Sequence, residues 1–352
     1  MKRIITLILC LVLTLSLFAG CNQNGGESTE GTTEGTTEVT QSPEEAAVFK
    51  VLMIGQSHAQ DASWLLCNVL KAEMPDQDFL VVDVYQPLNI GQHIENIKNK
   101  ATVYDYCENS NGTMTVRENF TINDAVKMEQ WDLIMFNEAT WPQIDDQEHL
   151  DGDIQWLTDY IKENAAPGYQ LAYNATWAQP ISKELYSAGR LQAPETFRQN
   201  FTDKFGGDRH KHFAKICDVI TKYVETDEDY DFVFHSGTAI QYASEVLGVP
   251  EGDPLRQMDL YRDYTHLSDF GRLLVAYQIY AQIYGLEELT EVNVDVIPKA
   301  LRATANEKIF GDLEITEEHK NIIIQSVNYA LKNPNIPPEN PIRDSAILEP
   351  LS

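Results

Sequence analysis

The chain has 352 residues, 54 of them acidic and 26 basic, for a net charge of −28. A surface this acidic repels nucleic acid and anionic lipid, so neither is expected as a direct partner, and solubility is its plainest use. Once the front of the chain is set aside, the length suits one α/β domain or two small ones, and one is expected.

Lys2 and Arg3 precede an apolar run, residues 4–18, of signal-peptide length and too short to span a membrane. It ends in Leu17-Phe18-Ala19-Gly20-Cys21, which resembles the lipobox of bacterial lipoproteins. The resemblance implies cleavage before Cys21 and a diacylglyceryl thioether on its sulfur, and two acyl chains suffice for stable anchoring. An ordinary cleaved signal with Cys21 incidental is the alternative. Removal of residues 1–20 leaves 24 basic against 54 acidic side chains, a net of −30. Residues 22–45 hold the near-repeat TEGTTEGTTE and almost no apolar side chains, so a flexible tether is expected. As a coil it would hold the domain about 25 to 30 Å from the membrane. The expected division is a signal peptide over 1–20, the lipidated Cys21 and tether over 21–46, a folded domain over 47–333 and a Pro-rich tail over 334–352. Past Cys21 stand Cys67, Cys107 and Cys217, an odd number with no CxxC pair, which leaves both one disulfide and three free thiols open.

The folded part opens on FKVLMIGQSHAQD, residues 49–61. Its apolar run has the composition of a parallel strand buried on both faces, and it stops at Gly55-Gln56-Ser57. Residues 59–70 read as a helix, which puts Ser57 on the strand-to-helix turn, at the sheet edge where ligands bind. A serine there is more often a helix cap than a nucleophile. Residues 79–85 (FLVVDVY) form a second strand, 92–101 a polar helix, and 109–120 a small hairpin or insertion. A third strand covers 131–136 (WDLIMF), a helix 151–164, a fourth strand 169–174, irregular chain 176–198, a helix 210–224, a fifth strand 230–234 and a helix 238–247. The alternation implies right-handed crossovers and a three-layer α/β/α sandwich around a mainly parallel five-stranded sheet.

Ser268 has the position of a helix N-cap, which leaves Asp263 and His266 in the loop before that helix. Three residues apart in a turn, a carboxylate can bond the near nitrogen of an imidazole and leave the far one to take a proton. On spacing alone an unremarkable loop aspartate and surface histidine are the commoner case. Two further helices are expected near 297–310 and 317–331.

Four segments, IGQS (54–57), WDLIMFNEAT (131–140), HSGTAIQYA (235–243) and RDYTHLSDFGR (262–272), together resemble the SGNH (GDSL-like) hydrolase superfamily. More closely, they resemble a branch of bacterial surface proteins catalogued as a domain of unknown function. The resemblance spans residues 48 to about 285 and implies a flavodoxin-like sheet. It makes Ser57 the nucleophile, His266 the general base and Asp263 the carboxylate that orients it. For the oxyanion it implies the amide of Ser57, a glycine amide after the second strand and a side-chain amide after the third. Asn137 supplies the last, and Gly91 is the nearest glycine unless Pro87, which has no amide, holds that place. Gln56 and His58 also depart from the family pattern.

His58, Glu138, Trp141, Trp177 and His235 are candidates to line a substrate pocket. The tryptophans suit stacking on sugar faces or merely cover the sheet, Glu138 reads a hydroxyl or faces water, and His235 lines the pocket or is a hydrogen-bonded loop histidine. His210 and His212 form an HxH, but on a helix they diverge, and no metal or organic cofactor is expected. The expected function is a membrane-tethered extracytoplasmic serine esterase acting on a small acyl ester, with acetyl groups on carbohydrate the suggested substrate. The alternative is a catalytically silent surface protein that binds a glycan or other ligand; a two-lobed solute binder would need duplicated halves.

Overall fold

The computed structural model describes residues 47–139, 146, 149, 151–180, 193–247, 254–297 and 314–338. Residues 1–46, including Cys21, lie outside them, as do Trp141, almost all of the helix expected near 297–310 and most of the Pro-rich tail. No helix among the described residues is long and apolar enough to cross a membrane.

Strand β1 (Phe49–Gly55) is buried from Val51 onward and lies between two parallel neighbours. On one side is β2 (Phe79–Tyr85), reached through the short helices α1 (Ser57–Ser63) and α2 (Leu66–Glu73). The expected single helix is thus broken at Trp64 and Leu65. After β2 come α3 (Ile90–Asn99), the strands β3 (Tyr104–Ser110) and β4 (Thr113–Phe120), and α4 (Ile122–Met128). On the other side of β1 lies β5 (Leu133–Phe136), followed by α5 (Asp153–Asn164), β6 (Gln170–Asn174) and α6 (Glu195–Phe205). Then come α7 (Arg209–Val219), continued by a π-helical turn Ile220–Val224, and β7 (Phe232–Phe234). Helices α8 (Ser236–Leu247), α9 (Asp269–Ile283) and α10 (Glu317–Lys332) follow, with 3-10 turns at Pro254–Leu260 and Val294–Val296.

The sheet runs β4-β3-β2-β1-β5-β6-β7. Five of its strands are parallel, in agreement with the alternation read from sequence, but the sheet has seven strands where five are expected. The two extra strands are the hairpin, which pairs antiparallel with β2 and so extends the sheet. Its turn, Asn111-Gly112, has positive φ at both residues (48° and 89°), the combination that a two-residue connection needs to match strand twist.

Alternation along the strands builds two cores. Val51, Met53, Val81, Leu133, Met135 and Ala172 pack against α1, α2, α8, α9 and α10, while Leu52, Ile54, Val82, Val84, Ile134 and Phe136 meet α3 to α7. With both faces covered, polar chemistry is left to the strand ends. The chain leaves β1 toward β2 over one face and reaches β5 over the other, so the carboxyl ends of β1 and β5 form the switch point where open α/β sheets bind ligands.

Cys67, Cys107 and Cys217 are all free and buried, which settles the open alternative in favour of thiols. An acidic residue in the sheet interior breaks the apolar pattern. Asp83 on β2 is 3 % exposed, neither carboxylate oxygen has a partner among the described residues, and burial, reinforced by Asp61 and Asp105, pushes its pKa well above the usual carboxylate range. The native state therefore holds a proton that the unfolded chain releases near pH 3.8. Stability from this site is complete below that pH and is lost as pH rises toward the folded pKa, at about 1.4 kcal/mol per pH unit. Asp83→Asn is expected to remove that slope: in urea titrations at pH 5 and pH 7.5, the wild type loses more stability between the two than the variant does. Equal losses would show that Asp83 is ionised in the native protein.

Candidate active site

Gln56 ends the first strand's exit and caps α1. Its Oε1 accepts the His58 amide at 2.8 Å, and Ser57 becomes the first helical residue. The turn is tight because Gly55 has no side chain: a Cβ there would lie 2.7 Å from the Ala59 Cβ and 2.9 Å from Asn137 Oδ1. Ser57 is left half-buried with its hydroxyl at the sheet edge.

The loop before α9 comes back to meet it. His266 Nε2 lies 2.8 Å from Ser57 Oγ, across 209 residues of sequence, and His266 Nδ1 lies 2.7 Å from Asp263 Oδ2. A carboxylate at Nδ1 fixes the proton there, so Nε2 is the acceptor for the serine hydroxyl. Asp263 Oδ1 in turn accepts the amides of Thr265 and His266, each at 2.8 Å. Burial opposes its charge, yet the His266 ring and these amides outweigh it and hold the Asp263 pKa below the usual range. The imidazole and carboxylate keep 25 % and 33 % of their side-chain surface, so a substrate can reach them from solvent. As expected, Ser268 caps α9, accepting the Gly271 amide.

Asn137 follows β5, one strand over from Gly55. Its side chain is 2 % exposed and neither Nδ2 nor Oδ1 has a partner among the described residues. A buried carboxamide without hydrogen bonds is costly, and here it lies beside the turn that carries Ser57, where an oxyanion could satisfy it. The Ser57 amide, first in its helix, has no intrahelical acceptor either.

The loop after β2 is less open. Gln86 N bonds Gly55 O at 3.2 Å, which keeps the chain beside the end of β1. Pro87 has no amide; those of Leu88, Asn89 and Ile90 are taken by Gln86 O, Gln92 Oε1 and Glu138 Oε1. That leaves the amide of Gly91, for which no acceptor is present among the described residues. The α-carbon of Gly91, however, faces Asp153 of α5 at a groove lined by Leu88, Asn89, Gln92, Glu95 and Lys98, which takes in none of Ser57, Asp263 and His266.

Several expected pocket residues have other surroundings. Glu138 is buried, and its carboxylate accepts the amides of Ile90 and Ala139, so it holds the first turn of α3 in place of facing water. Trp177 is fully buried; its Nε1 donates to Thr265 O at 3.0 Å and its ring packs 5.0 Å from that of His58, which removes it as a sugar platform. His58 is 4 % exposed and acts inside the protein, its Nδ1 3.1 Å from Gln56 Oε1 and its Nε2 3.2 Å from Thr265 Oγ1. His235 lies near Asn335 and Glu225, and its amide bonds Gln282. Of the HxH, His210 reaches Glu245 while His212 is buried against Phe201 and Phe205.

Sequence reading missed Asp61 altogether. It is fully buried on α1 and accepts Arg262 Nη1 at 2.7 Å, Arg272 Nε at 2.9 Å and the Leu267 amide at 2.8 Å. Burial opposes its ionisation, but the two guanidinium groups, Arg272 first, hold its pKa below the usual range. The available signal was its place one helical turn after Ser57, which puts both on the same side of α1.

Comparison with solved structures finds a DUF4886 family protein from Bacteroides uniformis, 22 % identical, with 83 % of this chain and 98 % of that one aligned at a TM-score of 0.63. A provisionally assigned SGNH hydrolase from Slackia heliotrinireducens is 14 % identical, covering 67 % of this chain and 100 % of its own, with a TM-score of 0.40. No protein of curated function matches this chain. The model of DUF4886, a domain of unknown function, matches residues 50–296. That span begins inside β1 and runs past α9, taking in Ser57, Asn137, Asp263 and His266 together, and the chain belongs to the DUF4886 family.

Proposed function

We propose that this protein is a serine hydrolase that cleaves carboxylic esters of small acyl groups through an acyl-enzyme on Ser57. The observation that carries the reading is the unbroken line from Ser57 Oγ through His266 to Asp263, with bonds of 2.8 and 2.7 Å. A serine hydroxyl is a poor nucleophile until a base takes its proton as the bond to carbon forms, and His266 Nε2 is placed to do that. The oxygen of the tetrahedral intermediate then needs donors, for which the Ser57 amide and Asn137 Nδ2 stand ready and Gly91 is a third candidate. His266 next protonates the departing alcohol, and in the second half it takes a proton from water as that water attacks the acyl carbon. Asp263 stays ionised throughout and stabilises the imidazolium.

The lipobox-like Cys21 and the polar segment behind it support an extracytoplasmic site on a membrane tether. A carbohydrate acceptor rests on that location and on Trp141, which lies outside the described residues, since Trp177 is internal. The departures at Gln56 and His58 do not weigh against catalysis: Gln56 provides the helix cap that a shorter polar residue would, and His58 has partners inside the protein.

A fluorophosphonate probe tests the reading directly. The folded protein is expected to label stoichiometrically, and Ser57→Ala to abolish labelling without moving the thermal midpoint; a folded wild type that stays unlabelled would favour a silent ligand-binding protein. Once an ester substrate such as p-nitrophenyl acetate is turned over, Asn137→Ala is expected to lower kcat about 100- to 1,000-fold with KM little changed. A kcat within threefold of wild type would remove Asn137 from the oxyanion site.

A further inference from the structure

Helix α1 carries more than the nucleophile. Two of its side chains reach the loop that carries His266, and they touch the residues on either side of it: His58 Nε2 meets Thr265 Oγ1 at 3.2 Å, and Asp61 Oδ2 accepts the Leu267 amide at 2.8 Å. We propose that His58 and Asp61 are positioning residues, a two-point grip on Thr265 and Leu267 that sets the His266 ring against Ser57. The inference rests on the serine-hydrolase reading, because what is positioned is its base.

The proton arrangement at His58 follows from its partners. Gln56 Oε1 can only accept, so Nδ1 carries the proton and donates to it at 3.1 Å, which makes Nε2 an acceptor. The Thr265 hydroxyl must then be the donor, and its own oxygen accepts from Gln179 Nε2 at 3.2 Å. Trp177 Nε1 on Thr265 O holds the same residue from behind. This line works only while His58 is neutral, and burial, helped by the nearby His266, lowers its pKa to about 3.

At the second point, Arg262 doubles the hold: its Nη1 donates to Asp61 Oδ1 and to Leu267 O at 2.9 Å, and its amide donates to His266 O at 3.0 Å. Arg272 ties the same carboxylate to α9. Loop residues 265 and 267 are therefore fixed to the helix that begins at Ser57, while the side chain of 266 between them is left to face the hydroxyl. A base so held needs no reorganisation to reach its proton, and misplacement of about 1 Å is enough to lower a rate roughly 100-fold.

The test reads both the rate and the final extent of fluorophosphonate labelling, because misplacement of the base slows labelling while partial unfolding cuts its extent. His58→Phe and Thr265→Val are each expected to slow labelling about 10- to 100-fold with full extent retained. His58→Gln, whose amide oxygen can stand near the lost Nε2 and accept from Thr265, is expected to come within about threefold of wild type. The double variant His58→Phe, Thr265→Val should be no slower than the worse single one. For the second point, Arg262→Met leaves Arg272 on Asp61 and should slow labelling at full extent. Wild-type rates in His58→Phe and Thr265→Val, a His58→Gln protein as slow as His58→Phe, or slow variants that label only in part would overturn the grip; if His58→Phe does not fold, Thr265→Val decides. A wild type that never labels defeats the serine-hydrolase reading, and the positioning role falls with it.

Discussion

A carboxylate with no exposure to water sets the geometry of the sheet edge where Ser57 and His266 meet. Asp61 cannot stay charged in the interior without close partners, and it finds them in Arg262, Arg272 and the Leu267 amide, which stand about 200 residues downstream. Removing one member of such a set strands the others, a loss of about 3 to 5 kcal/mol, so the contact behaves as a latch and not as one bond among many. It joins the first helix of the fold to the loop before α9, and the Ser57 to His266 contact is made across that joint. Sheet topology brings the two regions to the same edge; the latch decides their spacing.

That division also explains what could be read from the chain. β1, β2, β5 and β6 are legible because a strand covered on both faces must be apolar at nearly every position, and FKVLMIG and LIMF are short apolar runs of strand length. The Ser268 cap is a local signal, and so is the Asn-Gly turn of the hairpin. The hairpin's attachment to β2 is not: Thr113–Phe120 is largely exposed, and nothing in an exposed strand states which edge it joins. Helix α4 escaped notice because two turns are too short for a periodic pattern, although Thr121 and Asp124 form its cap.

At the site, the resemblance of the four segments, and not spacing alone, brought Ser57, Asp263 and His266 forward as candidates, and the fold sets the three within hydrogen-bond reach of one another. Asp61, Arg262 and Arg272 look like surface charges in sequence, and only the fold turns them inward. Trp177 shows the opposite failure. A tryptophan beyond a strand end on that sheet edge suggests a platform for substrate, but the chain turns it under the loop that carries His266, where its one polar atom serves Thr265. Residue type gives what a side chain can do, and burial decides toward whom.

Gln56 and His58, which read as departures one at a time, make sense as a pair. Gln56 Oε1 takes both the amide and the ring Nδ1 of His58, so a single acceptor caps the helix and chooses the tautomer. The choice has an electrostatic consequence. Catalysis by the proposed route puts a positive charge on His266, whose ring centroid is 6.0 Å from that of His58. A second charged imidazole at that distance would oppose it by about 3 kcal/mol at an effective dielectric of about 20, as much as one oxyanion donor contributes. Burial that keeps His58 neutral down to about pH 3 removes the conflict and leaves the ring free to serve as a fixed acceptor. The same desolvation that would disable a histidine as a base here fits it to hold another one in place.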